Sequence, residues 1–166
     1  MVLDAVNDYI LQFTDVEQDK LFRGYQNRSV LPQTQDYTLF YTEGNERIGT
    51  NVDEIQDFKT IVKALREYVV NIDFCGESQE LVEERATSLS VLGRSFLSCN
   101  FFKTYGINFS YADEAQYLPF VDDTEQYVHR YRIVLHLTRW DNVEVNSQTA
   151  VNAEVYVENV DAHHKP

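Results

Sequence analysis

The run from Tyr127 to Trp140 alternates, with Tyr127, His129, Tyr131, Ile133, Leu135 and Leu137 on one side of an extended chain. A period of two sustained this long is the mark of a β-strand with one buried face, so the chain must supply partner strands and a layer to cover them. The covering layer is visible upstream. Ser78 can cap a helix running to about Ser98, whose stripe Val82, Ala86, Leu89, Gly93, Phe96 and Leu97 would face a sheet. Gly93 costs helix propensity by roughly 1 kcal/mol, so a packing reason is expected there. A second helix opens the chain, with Leu3, Val6, Ile10 and Phe13 at steps of three and four.

Between these helices the pattern is mixed. Leu21, Phe22 and Tyr25 form a short stripe, and Pro32 with its polar neighbours makes a connection. Tyr37 to Tyr41 reads as a strand, Glu43-Gly44-Asn45 as turn chemistry, and Arg47 to Val52 as a strand running back. Residues 52–74 admit two readings. Ile55, Phe58, Val62 and Leu65 have helical spacing, with Asn51 and Glu54 as a cap pair, yet Val62, Ala64, Tyr68, Val70, Ile72 and Phe74 alternate and only Arg66 breaks the pattern. Tyr68 to Phe74 is a strand on either reading. Ile107, Phe109 and Tyr111 alternate next, an acidic loop follows, and the last strand is Val151 to Val160. The fold class is α+β: a largely antiparallel sheet with one or two amphipathic helices packed on one face.

At 166 residues, with 3 prolines and 6 glycines, the chain offers no linker to divide it, so residues 1–166 are expected to form one domain with 162–166 as a loose tail. Lys and Arg number 14 against 27 Asp and Glu, a net charge of −13, which disfavours stable binding to nucleic acid through its phosphates. No apolar run approaches a membrane span, and Asp4 and Asp8 stand where a signal peptide would want basic and then apolar residues. Cys75 and Cys99 are too few for a disulfide framework, and Cys75 is expected to pack as a small apolar residue.

Chemistry is sparse. Asp122, Asp123 and Glu125 could clasp a hard cation, but the loop lacks the glycine-containing calcium pattern and a solvated turn is the favoured reading. His129 and His136, seven apart on a strand, point to opposite faces. The pair His163-His164 reads as tail. No nucleophile elbow, phosphate loop, dinucleotide fingerprint or zinc-protease pair is present, so no catalytic residue and no cofactor is expected. What remains is surface: 11 tyrosines, and Trp140 beside Arg139 at the end of a long strand, are residue types that dominate protein interfaces.

Three stretches, Gly24-Tyr25-Gln26-Asn27-Arg28-Ser29-Val30-Leu31-Pro32, Tyr37-Thr38-Leu39-Phe40 and Arg47-Ile48-Gly49-Thr50-Asn51, resemble the opening of the neck and tail-terminator proteins of tailed bacteriophages. The continuation is similar too: a strand ending Val70-Asn71-Ile72-Asp73-Phe74-Cys75-Gly76, a helix containing Arg94-Ser95, a strand around Tyr131 to Leu137, and a terminal strand ending at Val160-Asp161. Cys75, where an aromatic or aliphatic residue is expected, and the acidic segment Asp113 to Glu125 depart from the pattern.

The resemblance implies a structural virion protein, assembled in the host cytoplasm, that forms a homo-oligomeric ring, hexameric by analogy, at the head-proximal end of the tail. It implies that the ring stops tube growth and joins the tail to the head. Its implied partners are further copies of itself, the tail tube protein, the head-completion and connector proteins, and a sheath protein if the tail contracts. DNA would pass through the lumen without specific binding, helped by the acidic excess, and no membrane is involved. A long β-hairpin is implied as well, which tips 47–74 toward strands. Candidate subunit-interface residues are Asn27, Arg28, Arg47, Arg139 and Trp140; for Arg28 and Arg47 the competing role is a hydrogen bond to loop carbonyls within the subunit. The alternatives are a head-completion or adaptor protein of the neck, and an acidic module binding a small ligand or cation.

Overall fold

The computed structural model describes residues 1–24, 36–56, 59–122 and 125–146. Helix α1 (Val2–Phe13) buries Val2, Ala5, Val6, Tyr9 and Ile10, so Val6 and Ile10 centre its stripe while Leu3 and Phe13 flank it half-buried. Thr14 ends the helix in an extended conformation, its hydroxyl donating to the Ile10 carbonyl at 2.7 Å. Leu21 and Phe22 belong to a short strand, β1 (Leu21–Arg23), parallel to the edge of β2 (Tyr37–Gln56). Tyr25, Pro32, Asn27 and Arg28 lie outside the described residues, as do the expected last strand Val151 to Val160 and the tail histidines.

The turn expected at Glu43-Gly44-Asn45 is a β-bulge instead. Strand β3 (Lys59–Gly76) continues opposite, with Thr42 facing Val70 and Gly44 facing Val69, so the extra residue is absorbed without reversing the chain. A second irregularity falls between Ile48 and Val52, where Gly49 takes a positive φ of 75°. The helical reading of 52–66 fails for a tertiary reason: residues 59–66 lie in β3, which pairs with β2 on one side and with β7 (Tyr127–Asn146) on the other, and residues 52–56 are the stretch of β2 that pairs with them.

Sheet order is β1-β2-β3-β7-β4, antiparallel except for the β1–β2 pair. Strand β4 (Asn108–Ala112) forms the far edge, and β5 (Gln116–Tyr117) and β6 (Phe120–Val121), both from the acidic segment, lean on β7. Register places Ile72 opposite Ile133 and Val70 opposite Leu135, and these form one buried face with Phe40, Phe74 and Leu137. The helices cover that face.

The single helix expected from Ser78 to Ser98 is two. Ser78 caps α2 (Gln79–Leu92), which ends at Gly93; Ser95 caps α3 (Phe96–Lys103). Val82, Ala86 and Leu89 are buried as the stripe requires, but the break at Gly93-Arg94-Ser95 turns Phe96 and Leu97 outward, 76% and 58% exposed. Phe102 takes the core position instead, and Arg94-Ser95 joins the helices rather than lying within one. The packing reason for Gly93 is direct: a Cβ there would lie 2.3 Å from the Cβ of Ala112. A bulge between Phe109 and Tyr111 likewise shifts the alternation of β4, exposing Tyr111 and burying Ala112.

Candidate assembly interface

The last buried positions on β3 and β7 are Tyr68 and Leu137, which face each other. Outward from there β2, β3 and β7 run on together as a three-stranded arm to Gln56, Lys59 and Asn146, and every residue along it is half-buried or exposed.

Alternation gives the arm two dissimilar faces. On the face continuous with the core, Arg47, Arg66 and Arg139 lie side by side across the three strands. Asp141 serves two of them, accepting from Arg139 Nε at 2.8 Å and lying 3.6 Å from Arg66 Nε, and it also accepts from the Tyr68 hydroxyl at 2.7 Å. Burial works against the Asp141 charge, but the hydrogen bonds from Tyr68 and Arg139 and the guanidiniums beside it outweigh that and hold its carboxyl below the usual range. Arg139 also lies 5.5 Å over the Tyr68 ring. Arg47 and Arg66 rest on neutral amides, donating to the side-chain oxygens of Asn51 and Asn45, each at 3.3 Å. Farther out on this face Val62 pairs with Val143, and Ile55 reaches 76% exposure.

The opposite face carries an apolar row, Ile48 beside Leu65 beside Trp140, with Val52 next to it. Trp140 is 48% exposed. Lys63 with Glu54, and Lys59 with Glu144 at 3.0 Å, tie neighbouring strands along this face. At its base Arg132 clamps Asp73 through two bonds of 2.7 and 2.8 Å and donates to the Tyr41 hydroxyl at 2.8 Å. The bond to Asp73 in particular raises the Arg132 pKa. His136 sits between Glu67 at 3.2 Å and Asp113 at 3.4 Å, its ring stacked on Tyr111.

Of the residues singled out in the sequence, Arg47 and Arg139 are thus brought into one row. Trp140, next to Arg139 in the chain, faces the other way, as a strand demands. The described side-chain bond of Arg47 goes to Asn51 within the arm. Arg66, which bridges the row, was missed, although its signal was present as the one break in the alternation of 62–74. His129 and His136 do lie on opposite faces; His129 bonds the Tyr117 hydroxyl through Nδ1 at 2.8 Å.

The helix layer offers a different surface. Phe13 and α2 line an open groove of about 1040 Å³ that carries Glu80, Glu83 and Glu84 at one end and Val91 and Leu92 at the other. Behind it Arg85 is buried and bridges Asp15 and Asp36, each at 2.7 Å, fixing α2 to the α1 exit and to the start of β2. Cys75 is buried, and burial pushes its thiol up to about 12. Among the described residues no cluster of three or more His, Cys, Asp or Glu is arranged to hold a metal, and Asp123 lies outside them. Among the described residues no helix is long and apolar enough to cross a membrane.

No curated protein matches the chain. A family model described as phage neck terminator protein matches residues 2–163, nearly its whole length. The protein, an α+β chain with two unlike faces on an exposed arm, belongs to the phage neck terminator family.

Proposed function

We propose that copies of this chain close into a ring at the head-proximal end of the phage tail, where the ring ends tube growth and joins the tail to the head. The observation that carries this reading is the arm. Ile48, Val52, Ile55, Trp140, Val143 and Val145 are all exposed there, far more apolar surface than a strand ladder needs in water. A ring requires two different patches on each subunit and a rotation that closes. The arm supplies one such patch, and the helix layer supplies a surface of different chemistry. In this reading β2 and β3 are the long hairpin that the resemblance implies, and Arg47, Arg139 and Trp140 are contact residues together with Asn27 and Arg28. The ring is hexameric by analogy.

A closed ring leaves the tube no equivalent site on which to add a further layer. One rim meets the tail tube protein, and the sheath where the tail contracts; the other meets the head-completion and connector proteins. With a net charge of −13, carboxylates facing the lumen would repel phosphate and let the genome slide. Assembly takes place in the host cytoplasm, and no catalysis is involved.

Electron microscopy of particles made without this product tests the role: overlong tails and unjoined heads are expected. Tails of normal length carrying heads would refute it.

A further inference from the structure

Resting on the ring reading, we infer that the arginine row of one copy docks into the acidic groove of α2 on the next copy, with the apolar end of the arm seated on the apolar end of the groove. Three guanidiniums side by side on adjacent strands repel one another, and Asp141 offsets only part of that charge. On a chain of −13 such a basic row is an anomaly that a carboxylate surface would relieve. The chain itself carries that surface. Glu80 and Glu84 stand one helical turn apart, both exposed and without a cation partner among the described residues, and Glu83 stands between them.

The two surfaces also match in spacing. On the arm, Arg66 and Arg139 each lie four residues before the paired Val62 and Val143 toward the tip, a separation of about 13 Å at strand rise. On α2, Glu84 and the exposed Val91 are seven residues apart, about 11 Å at helical rise. Charge meets charge at one end while valine meets valine at the other. The patches differ in chemistry and sit on different elements, so the contact is heterologous, the kind that generates rings. Complementary sign excludes the two alternative pairings, arm on arm and groove on groove, by like-charge repulsion.

Charge exchange tests the assignment. The arm variant is Arg47→Glu with Arg66→Glu, the groove variant is Glu80→Lys with Glu84→Lys, and a third chain carries all four changes. Assembly is read by light scattering at low salt and, in parallel, by complementation of phage lacking the gene product, which registers rings that close only on a tail. Circular dichroism confirms folding of each. Either pair alone should weaken assembly on the order of 100-fold and depress the phage yield, whereas the four-fold variant should recover both. Wild-type rings that tolerate either pair, or a four-fold variant as defective as its parents, would overturn the docking while leaving the ring standing. A wild-type chain that is monomeric in solution and cannot be cross-linked to itself in particles would remove the ring. Duplex DNA retained by the wild type and released by the arm variant, with assembly unchanged, would reassign the row to phosphate binding.

Discussion

Replacing Gly93 by alanine should loosen the seam between the helix layer and the edge strand β4. Gly93 has φ −60° and ψ −7°, so an L side chain suits its backbone; the obstacle is space. The new methyl would lie 2.3 Å from Ala112 Cβ and 3.0 Å from the Ser90 carbonyl oxygen. Carbon atoms rest at roughly 3.5–4.0 Å, so one side must retreat by more than about 1 Å. Ala112 is buried and its N–H donates to the Gly93 carbonyl at 3.2 Å, so retreat also stretches a hydrogen bond. Overpacking of this kind costs about 1–3 kcal/mol, and the helix-propensity gain, below about 1 kcal/mol at this terminal position, offsets part of it. The net loss of about 1–2 kcal/mol corresponds to a Tm lower by roughly 2–8 °C for a chain of this size. Thermal and urea denaturation of Gly93→Ala, Ala112→Gly and the double variant measure it. The double variant should be more stable than the two single losses predict, by about 1 kcal/mol or more. An unchanged or raised Tm for Gly93→Ala, or strict additivity, would refute the reasoning.

Trp140→Ala should leave the subunit folded, because the indole is half in water, but raise the concentration needed for assembly roughly 30-fold, as loss of an aromatic anchor does; full-sized rings at unchanged concentration by light scattering would discard Trp140 as a contact. The Arg85 brace should show in acid. Its hydrogen bond, chief among the causes, holds the Asp15 carboxyl below its ordinary value against the pull of burial. A depressed folded pKa means stability present above the unfolded value near 4 and lost as pH falls below it. Arg85→Met should therefore cost about 1–2 kcal/mol at pH 7, discounted because Asp15 is largely exposed, and the gap to wild type should narrow between about pH 4 and pH 2. A gap constant across that range would show that the guanidinium acts through packing alone.

How far the sequence spoke for itself depended on what decided each element. Where burial on one face dictated structure, as from Tyr131 to Leu137 or at Val82, Ala86 and Leu89, periodicity was enough. Where it did not, local signals misled. Glu43-Gly44-Asn45 has turn residues, yet the partner strand continues past them and a bulge is the outcome. Residues 52–56 and 59–66 lie in the arm, with neither face fully buried, so no pattern of burial was written there. The sequence suggests too long a helix through Gly93 because Phe96 and Leu97 extend the stripe on paper, while Ser95 caps a second helix that leaves both exposed. Among the candidate contacts, Arg47 and Arg139 could be proposed as residue types but not as neighbours, since adjacency across strands depends on register. Arg66 was legible only as an irregularity.

Strands β3 and β7 pass from the packed body into the arm in unbroken register, with the bulged β2 alongside, so the arm is built into the body as a cantilever is into its wall. In the proposed ring a beam held in this way would surrender little freedom when a neighbour grips it. The same continuity would carry load inward, since a pull on the tip runs along paired strands to Ile72 and Ile133 at the centre of the body, and a collar of such chains would share that strain around its whole circumference.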